Sequence, residues 1–135
     1  MNTIYDVQSV SKEYALGRQT VYALRDASIH VESGELVLIQ GKSGSGKTTL
    51  LNLMGGLDTA TSGRVLFESR EVSEFSNSER TRWHRSDIGF IFQAFALLPD
   101  LSAFENVDLA ARLAGKSPAE SAERSRELLT MVGLG

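Results

Sequence analysis

The sequence contains no cysteine. Disulfide bridges, thiolate metal sites and a cysteine nucleophile are therefore excluded. The two histidines, His30 and His84, are too few and too scattered to predict a metal site. Long hydrophobic runs are missing too. The greasiest stretch, IGFIFQAFALL, is interrupted by Gln93 and falls well short of the roughly 20 apolar residues that a spanning helix needs. The opening residues, MNTIYDVQ, carry Asp6 and no apolar core, which excludes a signal peptide. Charge is nearly balanced, and a net charge of -3 exerts no global pull toward nucleic acid or anionic lipid. The cytosol, or the cytosolic face of a membrane complex, is the expected location. What remains is ordinary: 135 residues, 41% hydrophobic and 23% charged, match one soluble globular domain with a real core.

Periodicity supplies the order of elements. TIYDVQSV and ALRDASIHV read as strands, and in the second Ala27, Ile29 and Val31 alternate with Ser28 and His30. After a turn at Glu32–Gly34, Leu36 to Ile39 is an unbroken apolar run, the pattern of a parallel strand buried on both faces. A glycine-rich loop follows, then a helix with Leu50, Leu51, Met54 and Leu57 on or near one face, stopping at Gly55 and Gly56. TSGRVLFE predicts a turn at Gly63 and a short strand. IGFIF, ending at Gln93, predicts another apolar strand. Three capping boxes mark helix starts: Ser76 with Glu79, Ser102 with Glu105, and Ser117 with Glu120, the last with Pro118 at the first helical position. The final helix is expected to run to about Val132 and stop at Gly133. Phe104, Val107, Ala111 and Ala114 share one helical face. The predicted class is α/β: an antiparallel portion, a parallel strand–loop–helix core, then a helical end.

The loop GKSGSGKT, Gly41 to Thr48, fits the phosphate-binding pattern G-x-x-x-x-G-K-[ST] without exception. Gly41, Gly44 and Gly46 permit backbone angles closed to other residues and let the main chain approach phosphates. Successive N–H groups across Lys42, Ser43 and Ser45 then form an anion nest, backed by the positive end of the following helix. Lys47 reaches the β- and γ-phosphates as a point charge. Thr48 offers its hydroxyl to Mg²⁺, and Thr49 completes the candidate binding set. The context also fits, with a buried strand before the loop and an apolar helix after it. A dinucleotide fingerprint fails for want of its third glycine.

With these residues in place, the chain resembles the nucleotide-binding domain of ABC transporters from its first strand to its last residue. The resemblance implies an ABC ATPase-like P-loop NTPase fold and binding of ATP with Mg²⁺. Residues 1–93 would form the β portion and P-loop core, and 94–135 the Q-loop and the start of the helical subdomain. Tyr14, in SKEY, stands where that family keeps the aromatic that stacks on adenine. Gln93, in GFIFQ, matches the Q-loop glutamine, which touches Mg²⁺ and the attacking water and passes motion to the membrane partner; with Lys47 it is the implied catalytic pair. GGLDTATSGRV and FALLPDLSAFENV resemble the lipoprotein-releasing and macrolide-exporting branch. Two positions depart from that branch: Lys42 stands where Pro is usual, and Thr48 where Ser is commoner. The signature LSGGQ helix, the Walker B strand ending in Asp then Glu, and the switch His have no counterpart in these 135 residues. The expectation is an N-terminal fragment of the domain.

The remaining features have plainer readings. Arg80, Arg82, His84 and Arg85 surround Trp83, but Glu79 and Asp87 flank them, as on a solvated helix face, and no nucleic-acid partner is expected. The apolar stripe of the last two helices reads as core, part of which docks a membrane partner in the family. Ser43 and Ser45 have no nearby His or carboxylate that would make a hydrolase nucleophile. Two functions stay open. One is an ATPase subunit that pairs with a second nucleotide-binding domain and permease subunits on the cytoplasmic face of the membrane, touching it only through them. The other is an ATP-binding fragment without turnover. A P-loop GTPase or small-molecule kinase is a distant third, since the N-K-x-D guanine motif is absent.

Overall fold

Two strands of 14 residues, β1 (Thr3–Leu16) and β2 (Gln19–Glu32), form an antiparallel hairpin. The pair closes between Leu16 and Gln19, and Gly17 supplies the positive φ of 61° that the tight turn needs. The computed structural model describes residues 2–135. β3 (Ser62–Phe67) pairs antiparallel with the other edge of β1, and the two-residue β4 (Arg70–Glu71) pairs with β3, giving the order β2-β1-β3-β4. The predicted alternation of β2 is present: Ala27, Ile29 and Val31 are partly covered while Ser28 and His30 are exposed.

Helix α1 (Lys47–Met54) packs on β1, β2 and β3. Val7, Val10, Leu50, Leu53 and Val65 are buried and form the core beneath it, joined by Val72 and Phe75 of the turn that follows β4. The buried face of α1 therefore runs through Leu50 and Leu53. Leu51 and Leu57, expected on that face, are exposed. A helix of eight residues has little more than two turns, and an i, i+3 pair is what one sheet face can cover.

The chain divides into two compact units, one ending at Arg80 and one running from Thr81 to Gly135. α2 (Asn77–Ser86) crosses that division. It starts at the predicted capping box, with Ser76 N–H donating to Glu79 Oε2 at 2.9 Å. Its basic residues Arg82 and Arg85 are exposed while Trp83 is buried, as a solvated basic face requires. In the second unit α3 (Ala103–Leu113) packs against α4 (Pro118–Met131), and both have complete capping boxes, from Ser102 and Ser117. The predicted end also holds: Val132 caps α4, and Gly133 follows at φ 80°. The apolar stripe explains this helix pair only in part. The most buried residue of α3 is Asp108, which accepts from Ser121 Oγ at 2.6 Å and pairs with Arg112 Nε at 2.6 Å. Ser125, also fully buried, donates to Ser121 O at 2.7 Å. A satisfied polar seam thus replaces part of the expected core.

The parallel core differs from expectation. Among the described residues every strand pair is antiparallel. The runs Leu36–Ile39 and Ile88–Phe92 are not strands, and Leu36 and Ile91 are 96% and 104% exposed. A strand that is apolar on both faces needs hydrogen-bonded neighbours and layers above and below it, and neither run pairs with a strand among the described residues; Ile88 N–H donates only back to Trp83 O, at 3.3 Å. The α/β class stands. Its sheet in this chain is the antiparallel portion.

Candidate functional site: the phosphate loop

The glycine-rich loop ends where α1 begins, and Gly46 is the N-cap, at φ 90°. A Cβ there would lie 2.5 Å from the carbonyl oxygen of Ala23, so loop and β2 touch backbone to backbone. No side chain caps this helix. Its first intrahelical bond runs from Leu50 N–H to Gly46 O at 2.8 Å, so the N–H groups of Lys47, Thr48 and Thr49 precede the ladder and face the loop. Lys47 folds over the same space: its ammonium donates to Gly41 O and Lys42 O, both at 2.8 Å, and to Ser45 Oγ at 3.4 Å. Gly44, at φ 77°, has nothing within 4 Å of where a Cβ would stand.

A cleft of about 350 Å³ opens here, lined by Val21, Tyr22 and Ala23 of β2 and by Gly44 to Thr49. An ammonium and an uncapped helix N-terminus share one wall, the chemistry that favours a multiply charged anion. The loop fits a triphosphate: the glycines leave room for it, and the unpaired N–H groups have no other acceptor in their helix. Thr48 is exposed at the loop. Among the described residues no group of three or more His, Asp or Glu could hold a metal. A metal at Thr48 would therefore arrive with the phosphates as ligands.

Tyr14 lies in β1 directly opposite Val21, a residue of the cleft wall, and opposed residues of an antiparallel pair project to the same side. Tyr14 is 43% exposed. The hydroxyl donates to Asp58 Oδ2 at 2.7 Å, and Lys12 Nζ donates to Asp58 Oδ1 at 2.6 Å. The bond to Asp58 is the main reason the Tyr14 hydroxyl is held above its ordinary pKa. Partial burial pushes the Asp58 carboxyl up, but the bonds from Lys12, Tyr14 and Thr59 outweigh it and leave the group below the usual range. Asp58 is thus a carboxylate and Tyr14 its donor. Sequence reasoning passed over Lys12 and Asp58. The available signal was a lysine two residues before the tyrosine, on the same strand face, and an acid just past the end of α1.

Gln93 belongs to the second unit, in an exposed segment without regular structure, between Ile88–Phe92 and α3. The phosphate loop and Tyr14 are in the first unit.

Comparison with known proteins covers the phosphate loop. The sequence model described as "ABC transporter" matches residues 24–135, which include the whole loop. The chain belongs to the ABC transporter family. It is 45% identical over 135 residues to an uncharacterized ABC transporter ATP-binding protein of Thermotoga maritima, covering 100% of this chain and 58% of that protein. It is 39% identical to the lipoprotein-releasing system ATP-binding protein LolD of Idiomarina loihiensis, covering 94% of this chain and 56% of that one. The macrolide export ATP-binding/permease protein MacB of Mannheimia succiniciproducens is 41% identical over 97% of this chain and 20% of its own length. Among solved structures, the dimeric post-hydrolysis state of the ATP-binding cassette MJ0796 bound to ADP and Pi superposes with a TM-score of 0.89. There the identity is 37%, over 98% of this chain and 58% of that one. This ABC family chain thus spans little more than half the length of its single-cassette relatives. Among its described residues no helix is long and apolar enough to cross a membrane.

Proposed function

We propose that this chain is the ATP-binding part of an ABC transporter ATPase subunit that couples ATP binding and hydrolysis to export or lipoprotein release. The observation that carries this reading is the uncapped N-terminus of α1 with the Lys47 ammonium folded over it. In our assignment Gly41, Lys42, Ser43, Gly44, Ser45 and Gly46 cradle the phosphates through their backbone. Lys47 moves from the loop carbonyls to the terminal phosphates, and Thr49 adds a first-turn N–H. Tyr14 stacks on adenine beside Val21. Thr48 would hold Mg²⁺ through its hydroxyl, and the role of contacting the metal and the attacking water would fall to Gln93 on the family resemblance alone. ATP with Mg²⁺ brings the phosphoanhydride whose cleavage drives the cycle.

The whole protein works, in this reading, as a dimer of nucleotide-binding domains beneath permease subunits, on the cytoplasmic face of the membrane. The dimeric cassette and the fused ATP-binding/permease protein among its relatives support that arrangement. A second reading concerns these 135 residues alone. They contain no LSGGQ segment and no apolar strand ending in Asp-Glu, so no acid in them positions a water. We infer that the chain by itself binds ATP and turns it over only at trace rates, since losing a positioning or electrostatic element costs about 10²–10³-fold or more. Phosphate release and ATP-analogue binding, measured side by side, test both readings. Binding abolished by Lys47→Ala, with negligible phosphate release, is the expected result. Robust turnover that Lys47→Ala removes would overturn the second reading, and wild-type protein that binds no nucleotide would overturn the first.

A further inference from the structure

Asp58 ties together two parts of the proposed site that lie far apart in sequence. It sits just beyond α1, held there by its own N–H and that of Leu57, which both donate to Asn52 O, at 3.4 and 2.9 Å. Its carboxylate takes three donors. Tyr14 Oη binds Oδ2 at 2.7 Å, while Lys12 Nζ and Thr59 N–H bind Oδ1 at 2.6 and 2.7 Å. Lys12 donates again, to Thr59 O at 2.7 Å, and its ammonium stands 5.0 Å from the centroid of the Tyr14 ring. The backbones are joined as well, through Glu13 N–H to Thr61 Oγ1 at 3.0 Å and Thr61 N–H to Ser11 O at 2.9 Å.

An exposed tyrosine on a strand ordinarily samples several rotamers. Here the hydroxyl is fixed by a charge-assisted bond and a cation stands over the ring, yet the residue stays 43% exposed. That exposed part is what a flat partner would meet. The Lys12 and Asp58 side chains are only 13% and 29% exposed, so the pair is shielded enough to hold its geometry.

We infer that Asp58 and Lys12 are positioning residues that lock the Tyr14 ring as the platform for the base, tying it to the far end of the helix whose N-terminus receives the phosphates. This rests on the nucleotide reading proposed above. Lys12 and Asp58 touch neither base nor phosphate in this role; they act through Tyr14.

Titration calorimetry of the chain with Mg-ATP and, separately, with Mg-tripolyphosphate distinguishes the two claims, because the second ligand has phosphates and no base. Tyr14→Phe keeps the ring and the Lys12–Asp58 pair and removes only the hydroxyl. It should weaken ATP about 5-fold and leave tripolyphosphate unchanged. Asp58→Asn should weaken ATP about 10-fold, again without moving tripolyphosphate, and the double variant should be no weaker than Asp58→Asn alone. Unchanged ATP affinity in Tyr14→Phe, or equal losses for both ligands, would overturn the positioning role while leaving the phosphate site standing. Wild-type protein that binds neither ligand would overturn the nucleotide reading itself. Should Asp58→Asn fail to fold, judged by circular dichroism, Tyr14→Phe alone decides.

Discussion

Helices α2, α3 and α4 begin with the same device, a serine and a glutamate three residues on that trade hydrogen bonds with each other's backbone. α1 begins with a glycine and has no side-chain cap at all. Each of the three capped ends satisfies two donors internally, the serine N–H and the glutamate N–H, and sets a carboxylate beside the helix start, which repels a further anion. The fourth leaves its own N–H groups open, next to an ammonium. A glycine at the N-cap falls short of a serine by only a few tenths of a kcal/mol, and that is what α1 forgoes. What it keeps instead is a positive helix end that a phosphate can occupy. The contrast between stability and function is thus written at the level of one residue, Gly46 against Ser76, Ser102 and Ser117.

The sharpest way to break the contrast is to give Gly46 a side chain. Gly46→Ala should damage stability and binding together. It places a Cβ 2.5 Å from Ala23 O at a φ of 90°. A strained backbone position and a backbone clash together should cost about 3 kcal/mol, read as a shift in the urea midpoint, and ATP binding should fall by about 10²-fold or more. A variant as stable as the parent would mean that β2 yields easily, and that the missing cap is not a steric necessity.

A second change separates the two quantities. Thr48→Asp puts a carboxylate in the first turn of α1, where it complements the helix dipole. Stability should rise by about 0.5 kcal/mol while ATP affinity falls by about 10²-fold, because the new charge repels phosphates and the hydroxyl is lost. Thermal melts and titration on the same sample give both signs. If both quantities fell, the open helix end would owe its character to something other than charge.

The reverse operation belongs to the second unit. Ser102→Ala and Ser117→Ala should each cost about 1 kcal/mol in chemical denaturation and leave ATP affinity where it was. These sites were fully legible in the sequence, because a capping box is a local pattern of four residues with no need of a tertiary partner. The phosphate loop was legible for the same reason. Leu36–Ile39 and Ile88–Phe92 read as strands from their apolar runs, yet strand formation depends on neighbours that no local pattern contains, and neither run has a strand partner among the described residues. The Asp58–Tyr14 contact bridges 44 residues in sequence, and Asp108–Ser121 joins two helices. Neither leaves a periodic trace. Local chemistry could be read directly, and pairing across the fold could not.

The smallest effect concerns the strength of a cap rather than its presence. The Glu79 carboxyl is held down from 4.5 to about 2, first by the Ser76 hydroxyl, then by the Ser76 N–H and by Arg70. A carboxyl whose folded pKa is depressed contributes stability that is fully present above about 4.5. That contribution is lost as pH falls through about 2. Glu79→Gln keeps the shape and the acceptor of the cap but cannot ionise. The stability difference between parent and variant should therefore be greatest near neutral pH, shrink across that acid window and vanish at its lower end. Comparing the two chains' urea midpoints at successive pH values measures it. A difference that did not change with pH would show that neutral hydrogen bonding alone closes α2, and the charge of Glu79 would drop out of the comparison with α1.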